Sequence, residues 1–239
     1  MGIDTQRTSS SSNTSIGLIG ITILVAIIWF AGRQFPGTSM GQWLDKLIHP
    51  WITPDEAGLF WYYAFAYWTF AELALFGVVA LGVFHLRPRD VFLLPGNSSW
   101  SLRKTMLIVV GVAAFEVAMI LLSRSSALSY ALHPGNMAGN LFSNLYEEIL
   151  YRGFMLGLLI RFTGKPWYAI VVTSIFFTLG HSQYVGWMSV GLLVLAIPFA
   201  WITWKTKWIL WAWILHMLVD WPVDLFLRSG QIDKILSGG

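Results

Sequence analysis

The chain contains no cysteine, which excludes disulfides, thiolate metal sites and thiol nucleophiles. Charge is scarce too. Only 11% of its 239 residues are Asp, Glu, Lys or Arg, against about 25% in a soluble domain. The basic excess is small and reads as loop charge that sets topology, so no nucleic-acid partner is expected. Familiar catalytic signatures are missing as well: there is no G-x-S-x-G elbow, no H-E-x-x-H pair and no glycine-rich phosphate loop.

What the chain has instead is apolar surface. Hydrophobic residues make up 56% of it and the mean hydropathy is +0.64. Its 14 tryptophans belong to a residue type that gathers at membrane–water interfaces. These features predict an all-α, polytopic membrane helix bundle, integral to the lipid bilayer.

Residues 1–15 are polar and Ser-rich and read as a disordered tail. The apolar run 16–31 reads as an uncleaved first span, because bulky Trp29 and Phe30 stand where a cleavage site needs small residues. Residues 34–57 form a loop with a short interfacial helix carrying Trp43, Leu44, Leu47, Ile48 and Trp51. Further apolar runs follow at 59–84, 105–122, 140–160, 167–180, 185–204 and 208–219, which with the first makes about seven spans. Pro198 is expected to kink the sixth of these.

The organisation is then a tail (1–15), an N-terminal transmembrane region (16–135), a core (136–228) in the C-terminal half and a second tail (229–239). Lys and Arg are richer in the loops that share a side with the N-terminus, notably Arg87, Arg89, Arg103, Lys104, Lys205 and Lys207. The positive-inside rule therefore places the N-terminus inside, most simply in the plasma membrane of a bacterium. Glu72 and Glu116 read as interhelical hydrogen-bond partners, and His49, His85 and His133 as surface residues.

Three helices carry polar groups at membrane depth. At about 100° per residue, Asn140, Asn144, Glu147, Glu148, Tyr151 and Arg152 fall in one wedge of the first. Glu148 and Arg152 stand i, i+4 in the favourable order for a helical ion pair. Glu147 has no partner on its own helix. On the second helix His181 shares a face with Ser174, Phe177 and Thr178, and on the third His216 and Asp220 are one turn apart. Intramembrane ionisable groups usually face a bundle interior or a water-filled cavity. Carboxylate and imidazole together can activate water, with further polar groups stabilising an oxyanion. The same residues could alternatively bind zinc or iron.

In order, Glu147-Glu148-x-x-x-Arg152, Phe177-x-x-x-His181 and His216-x-x-x-Asp220 resemble the three motifs of the CAAX-protease and bacteriocin-processing family. These are the Abi or CPBP intramembrane proteases, which include eukaryotic prenyl-protein endopeptidases. The resemblance covers roughly residues 140–225. It implies a glutamate-type endopeptidase with no cofactor, water as nucleophile, and a peptide or protein substrate at the membrane. Glu147 would be the general base and His181 its partner, with His216 and Asp220 facing the tetrahedral intermediate. Glu148, Arg152, Tyr151 and Phe177 would support the site.

One position departs from the pattern: the family often has Asn where this chain has Asp220. A carboxylate there is expected to orient His216 rather than donate to an oxyanion. Two other readings of the sequence stand beside the protease: a non-catalytic membrane immunity or partner-binding protein, and a metal-dependent membrane hydrolase.

Overall fold

The computed structural model describes residues 9–52, 55–65, 69–123, 134–182 and 185–226. The reading of His133 as a surface residue, and the side chain of Glu116, lie outside what is described. Among the described residues all regular structure is helical. Two helices are long and apolar enough to cross a membrane, at Gly17–Gly37 and Ser189–Thr206. Shorter apolar helices run Phe70–Val83, Pro166–Gly180 and Leu210–Trp221.

Helix α1 (Ser9–Arg33) begins inside the Ser-rich stretch. Its Ile21, Val25 and Ile28 are buried while Ile19, Ile23, Ile27 and Phe30 are exposed. A stripe of bare large aliphatics suits lipid and would be a liability in water. After it comes α2 (Ser39–Ile48), the expected short helix, capped by the Thr38 side chain, which accepts from Gly41 N at 3.1 Å.

The run 59–84 is not described as one rod. Helix α3 (Glu56–Phe65) and helix α4 (Phe70–Gly77) are separate elements, and α4 continues as a π-helical turn over Val78–Val83. His85, which leaves that turn at positive φ, is exposed, as is His49.

Helix α5 (Leu102–Ser123) follows the basic loop. The polar helix then starts earlier than its composition suggests, at Pro134 rather than Asn140. Proline is well suited to a first turn, where its missing N–H goes unused. Helix α6 (Pro134–Glu147) passes into a π-helical segment, Glu148–Met155, and resumes as α7 (Leu156–Thr163). Gly164, in the left-handed region at φ 64°, ends it. Helices α8 (Pro166–Gly180), α9 (Trp187–Thr206) and α10 (Leu210–Phe226) complete the chain, and Pro198 sits inside α9 without ending it.

Two packed clusters hold the bundle. One gathers Val25, Phe76, Leu150, Met155, Leu156, Leu158, Leu159, Ile170 and Phe177 around the π-helical segment. The other joins α5, α9 and α10 through Val109, Phe199, Ile202, Ala212, Leu215 and Val219. Indole N–H groups of α10 tie it to α6: Trp213 donates to Leu141 O at 2.9 Å and Trp221 to Met137 O at 3.2 Å.

The loop before α5 is pressed directly onto α7. A Cβ on Gly157 would stand 2.7 Å from Val91 Cα and 3.1 Å from Asp90 O. Because backbone cannot rotate away, Gly157→Ala is expected to lower the unfolding free energy by about 1–3 kcal/mol. A thermal or denaturant melt of the purified chain in detergent measures it.

Candidate active site

Constant helical periodicity places Glu147 and Glu148 in one polar wedge. A π-helical segment opens at Glu148, and the two neighbouring acids meet different partners. Such π-bulges are frequent at functional sites. Glu148 points inward and is fully buried, while Glu147 stays partly exposed.

Glu148 and Arg152 form the expected pair, with Arg152 Nη1 donating to Glu148 Oε1 at 3.0 Å. The same oxygen lies 2.8 Å from His216 Nδ1. An ionised carboxylate only accepts, so Nδ1 carries the proton. His216 therefore turns Nε2 away from Glu148, and Asp220 Oδ2 is 3.5 Å from that nitrogen. Asp220 in turn accepts from Asn144 Nδ2 at 2.9 Å.

His181 stands at the end of α8, where the helix gives out. Its Nδ1 is 2.8 Å from Phe177 O. A carbonyl oxygen can only accept, so Nδ1–H donates and the neutral ring carries its lone pair on Nε2. That nitrogen lies 3.6 Å from Glu147 Oε2, so Glu147, partnerless on its own helix, faces a histidine from another. At this separation a lone pair and a carboxylate do not bond directly, but one water could donate to both. Such a water would sit between two proton acceptors, the arrangement that activates it.

Phe177 joins the two histidines. Its ring centroid is 4.4 Å from that of His181 and 5.9 Å from that of His216. The Arg152 guanidinium stacks 4.1 Å above it, and the Tyr151 ring meets its edge at 5.3 Å. Every residue expected at the site is therefore in one contiguous neighbourhood. Glu147, His181 and Asp220 lie on its partly exposed side, with Glu148, Arg152 and His216 in its buried wall. Among the described residues no three His, Asp or Glu side chains are grouped so as to hold a metal ion.

Sequence reasoning did not single out Arg33. Arg33 closes α1 beside the site, its Nε 3.2 Å from Glu72 Oε1, close enough for an ion pair though not aligned as a hydrogen bond. Arg33 Nη2 and Trp29 Nε1 both approach the Tyr151 hydroxyl, at 3.5 Å and 3.2 Å. A Cβ on Gly180, the residue before His181, would collide with both Arg33 Nη2 and the Tyr151 hydroxyl. The N-terminal helices thus brace this corner of the candidate site.

A signal for this pairing did exist: Arg33 and Glu72 are isolated opposite charges in otherwise apolar runs. Glu72 is almost wholly buried and Arg33 about a third exposed. Arg33→Met is accordingly expected to cost about 2–3 kcal/mol, below the range for a fully buried pair. Adding Glu72→Gln should recover part of the loss, as read from melting in detergent.

Residues 132–222 match a family model described as type II CAAX prenyl endopeptidase Rce1-like. The matched stretch contains all three motifs, consistent with the CAAX-protease and bacteriocin-processing resemblance, and the core is thereby similar to membrane-embedded proteases. No curated protein and no solved structure matches the chain.

Proposed function

We propose that a chain with this protease-like core is an intramembrane endopeptidase, hydrolysing a peptide bond of a membrane-proximal peptide or protein. The reading rests chiefly on His181. Its Nδ1 is engaged by Phe177 O, and its Nε2 faces Glu147 Oε2 at 3.6 Å, two acceptors to which one flanking water would donate. In this mechanism Glu147 takes a proton from that water as hydroxide adds to the scissile carbonyl carbon. Glu147 then returns the proton to the departing amine as the tetrahedral intermediate collapses.

His216 Nε2, on the side of the ring away from Glu148, would donate to the oxyanion when the ring is protonated. Glu148 and Arg152 hold that ring in place. Water is the nucleophile and no metal or other cofactor is invoked, so incubation with a chelator is expected to leave cleavage intact.

Asp220 is assigned an orienting role, supported by its acceptance of the Asn144 amide at 2.9 Å. Asp220→Asn is expected to retain most activity and Asp220→Ala to lose most of it. Equal loss in both would refute the role. The substrate class is tested by comparing membrane-proximal peptide termini in cells carrying the wild type or Glu147→Gln. A substrate left uncut only in the variant is expected, and unchanged termini would count against proteolysis.

The same reading makes the chain a multi-pass protein of a bacterial plasma membrane, crossing about seven times with its N-terminus inside. The native sequence lacks cysteine, so single introduced thiols report topology cleanly. Met40→Cys is expected to react with an impermeant reagent in intact cells, and Ser101→Cys only after permeabilisation. The reverse pattern would invert the orientation.

A further inference from the structure

Away from the proposed active site, the end of α9 gathers cationic and indole side chains. Lys205 Nζ lies 4.1 Å from the Trp204 ring centroid, 5.6 Å from that of Trp100 and 5.9 Å from that of Trp201. Lys104, in the first turn of α5, places its Nζ 5.6 Å from the same Trp100 ring. Lys207 Nζ is 5.7 Å from Trp204 and 5.6 Å from Phe92. None of the ion pairs among the described residues involves these three lysines. Trp100 Nε1, within the cluster, is buried with no hydrogen-bond acceptor.

The arrangement is built rather than loose. Gly96 N donates to Lys207 O at 3.1 Å, Ser98 Oγ donates to Lys205 O at 2.6 Å, and Trp100 N donates to Ser98 Oγ at 3.0 Å. The loop before α5 is thereby strapped over the end of α9. Lys207 takes the left-handed conformation at φ 59°, ending the helix there. Burial and the charge of Lys205 both push the Lys207 ammonium below its ordinary pKa, so the two cations share a space without a counter-charge.

We propose that Lys104, Lys205 and Lys207, with the Trp100 indole N–H, bind the phosphate of an anionic phospholipid headgroup at the membrane boundary. A phosphate supplies the missing acceptors to ammonium and indole donors alike. The source is a lipid because Lys205 lies in the last turn of the apolar stretch Ser189–Thr206 and Lys207 directly follows it. They sit among Trp100, Trp167, Trp201 and Trp204, the residue type of the interfacial belt. Basic pockets between helices at this depth suit acidic headgroups. The assignment depends on α9 crossing the bilayer and not on the peptidase reading.

The experiment is native mass spectrometry of the full chain in detergent, titrated with phosphatidylglycerol or phosphatidylcholine. The wild type is expected to retain phosphatidylglycerol preferentially. In Lys205→Gln/Lys207→Asn that preference should fall about tenfold or more, since each lysine near a surface is worth about fivefold. Asn is chosen at 207 because it tolerates the left-handed backbone. Lys104→Gln, at an exposed position that puts little demand on folding, should lower it about fivefold, so the site remains testable if the double variant misfolds.

Arg87→Gln removes a cation from the same loop that Asp90 already pairs at 3.1 Å, and should change nothing. An undiminished preference in the lysine variants, or an equal loss in Arg87→Gln, overturns the site. Displacement of phosphatidylglycerol by inorganic phosphate overturns the lipid as its occupant.

Discussion

Glu147→Gln is expected to reduce peptide-bond cleavage by at least about a hundredfold, the lower bound for removing a positioned general base, while leaving folding stability within about 0.5 kcal/mol of wild type. The two expectations come from different features of one side chain. Glu147 is partly exposed and its near neighbour is His181 Nε2 at 3.6 Å, so an isosteric amide strains no packing. An amide, however, cannot accept the proton of an attacking water. The change should appear in kcat rather than KM, because the lost interaction forms as the bond is made.

His181→Ala should cost a comparable factor. The double variant should be little worse than the poorer single, since the two groups act on one water. Cleavage of a reporter peptide by purified protein, with a melt run in parallel, measures both. Full activity in Glu147→Gln would remove the acid from the mechanism. A collapse of stability would recast it as a structural residue.

Arg152→Met should have the largest effect on stability, about 3–5 kcal/mol, the cost of stripping one partner from a buried ion pair. Arg152 and Glu148 are both essentially inaccessible to water. Glu148 Oε2 has no hydrogen-bond partner, and Oε1 alone takes both Arg152 Nη1 and His216 Nδ1. Without the guanidinium, the carboxylate keeps only the histidine.

The damage reaches the site through packing as well. Arg152 lies 4.1 Å over Phe177 and 5.2 Å from Phe199, and Phe177 contacts both imidazoles. Arg152→Lys should therefore also be poorly tolerated, because an ammonium cannot reproduce the flat stack. Glu148→Gln added to Arg152→Met should restore part of the stability by removing the stranded charge, though not the activity. If the single variant melts like wild type, the pair is not what holds this wall together.

The two predictions differ in how far the sequence foretold them. The Glu148–Arg152 contact follows from i, i+4 spacing, and it survives because the wider turn still leaves those positions adjacent. The π-helical segment itself was invisible, because no local composition marks one. It packs against α4, α8 and α9. Likewise the run 59–84 reads as one apolar stretch, with nothing in it to mark the π turn at Val78–Val83.

Composition and helical spacing, which are properties of the chain read locally, were enough to specify a helical membrane protein and the three polar insertions of its proposed site. Glu147 facing His181 is the pairing the family resemblance had implied, whereas Glu148 against His216, and Arg33 against Glu72 across α1 and α4, came only from tertiary packing. Hydrophobic periodicity records how each helix faces its surroundings, but ångström-scale contacts between distant segments depend on how the helices are rotated and set against one another.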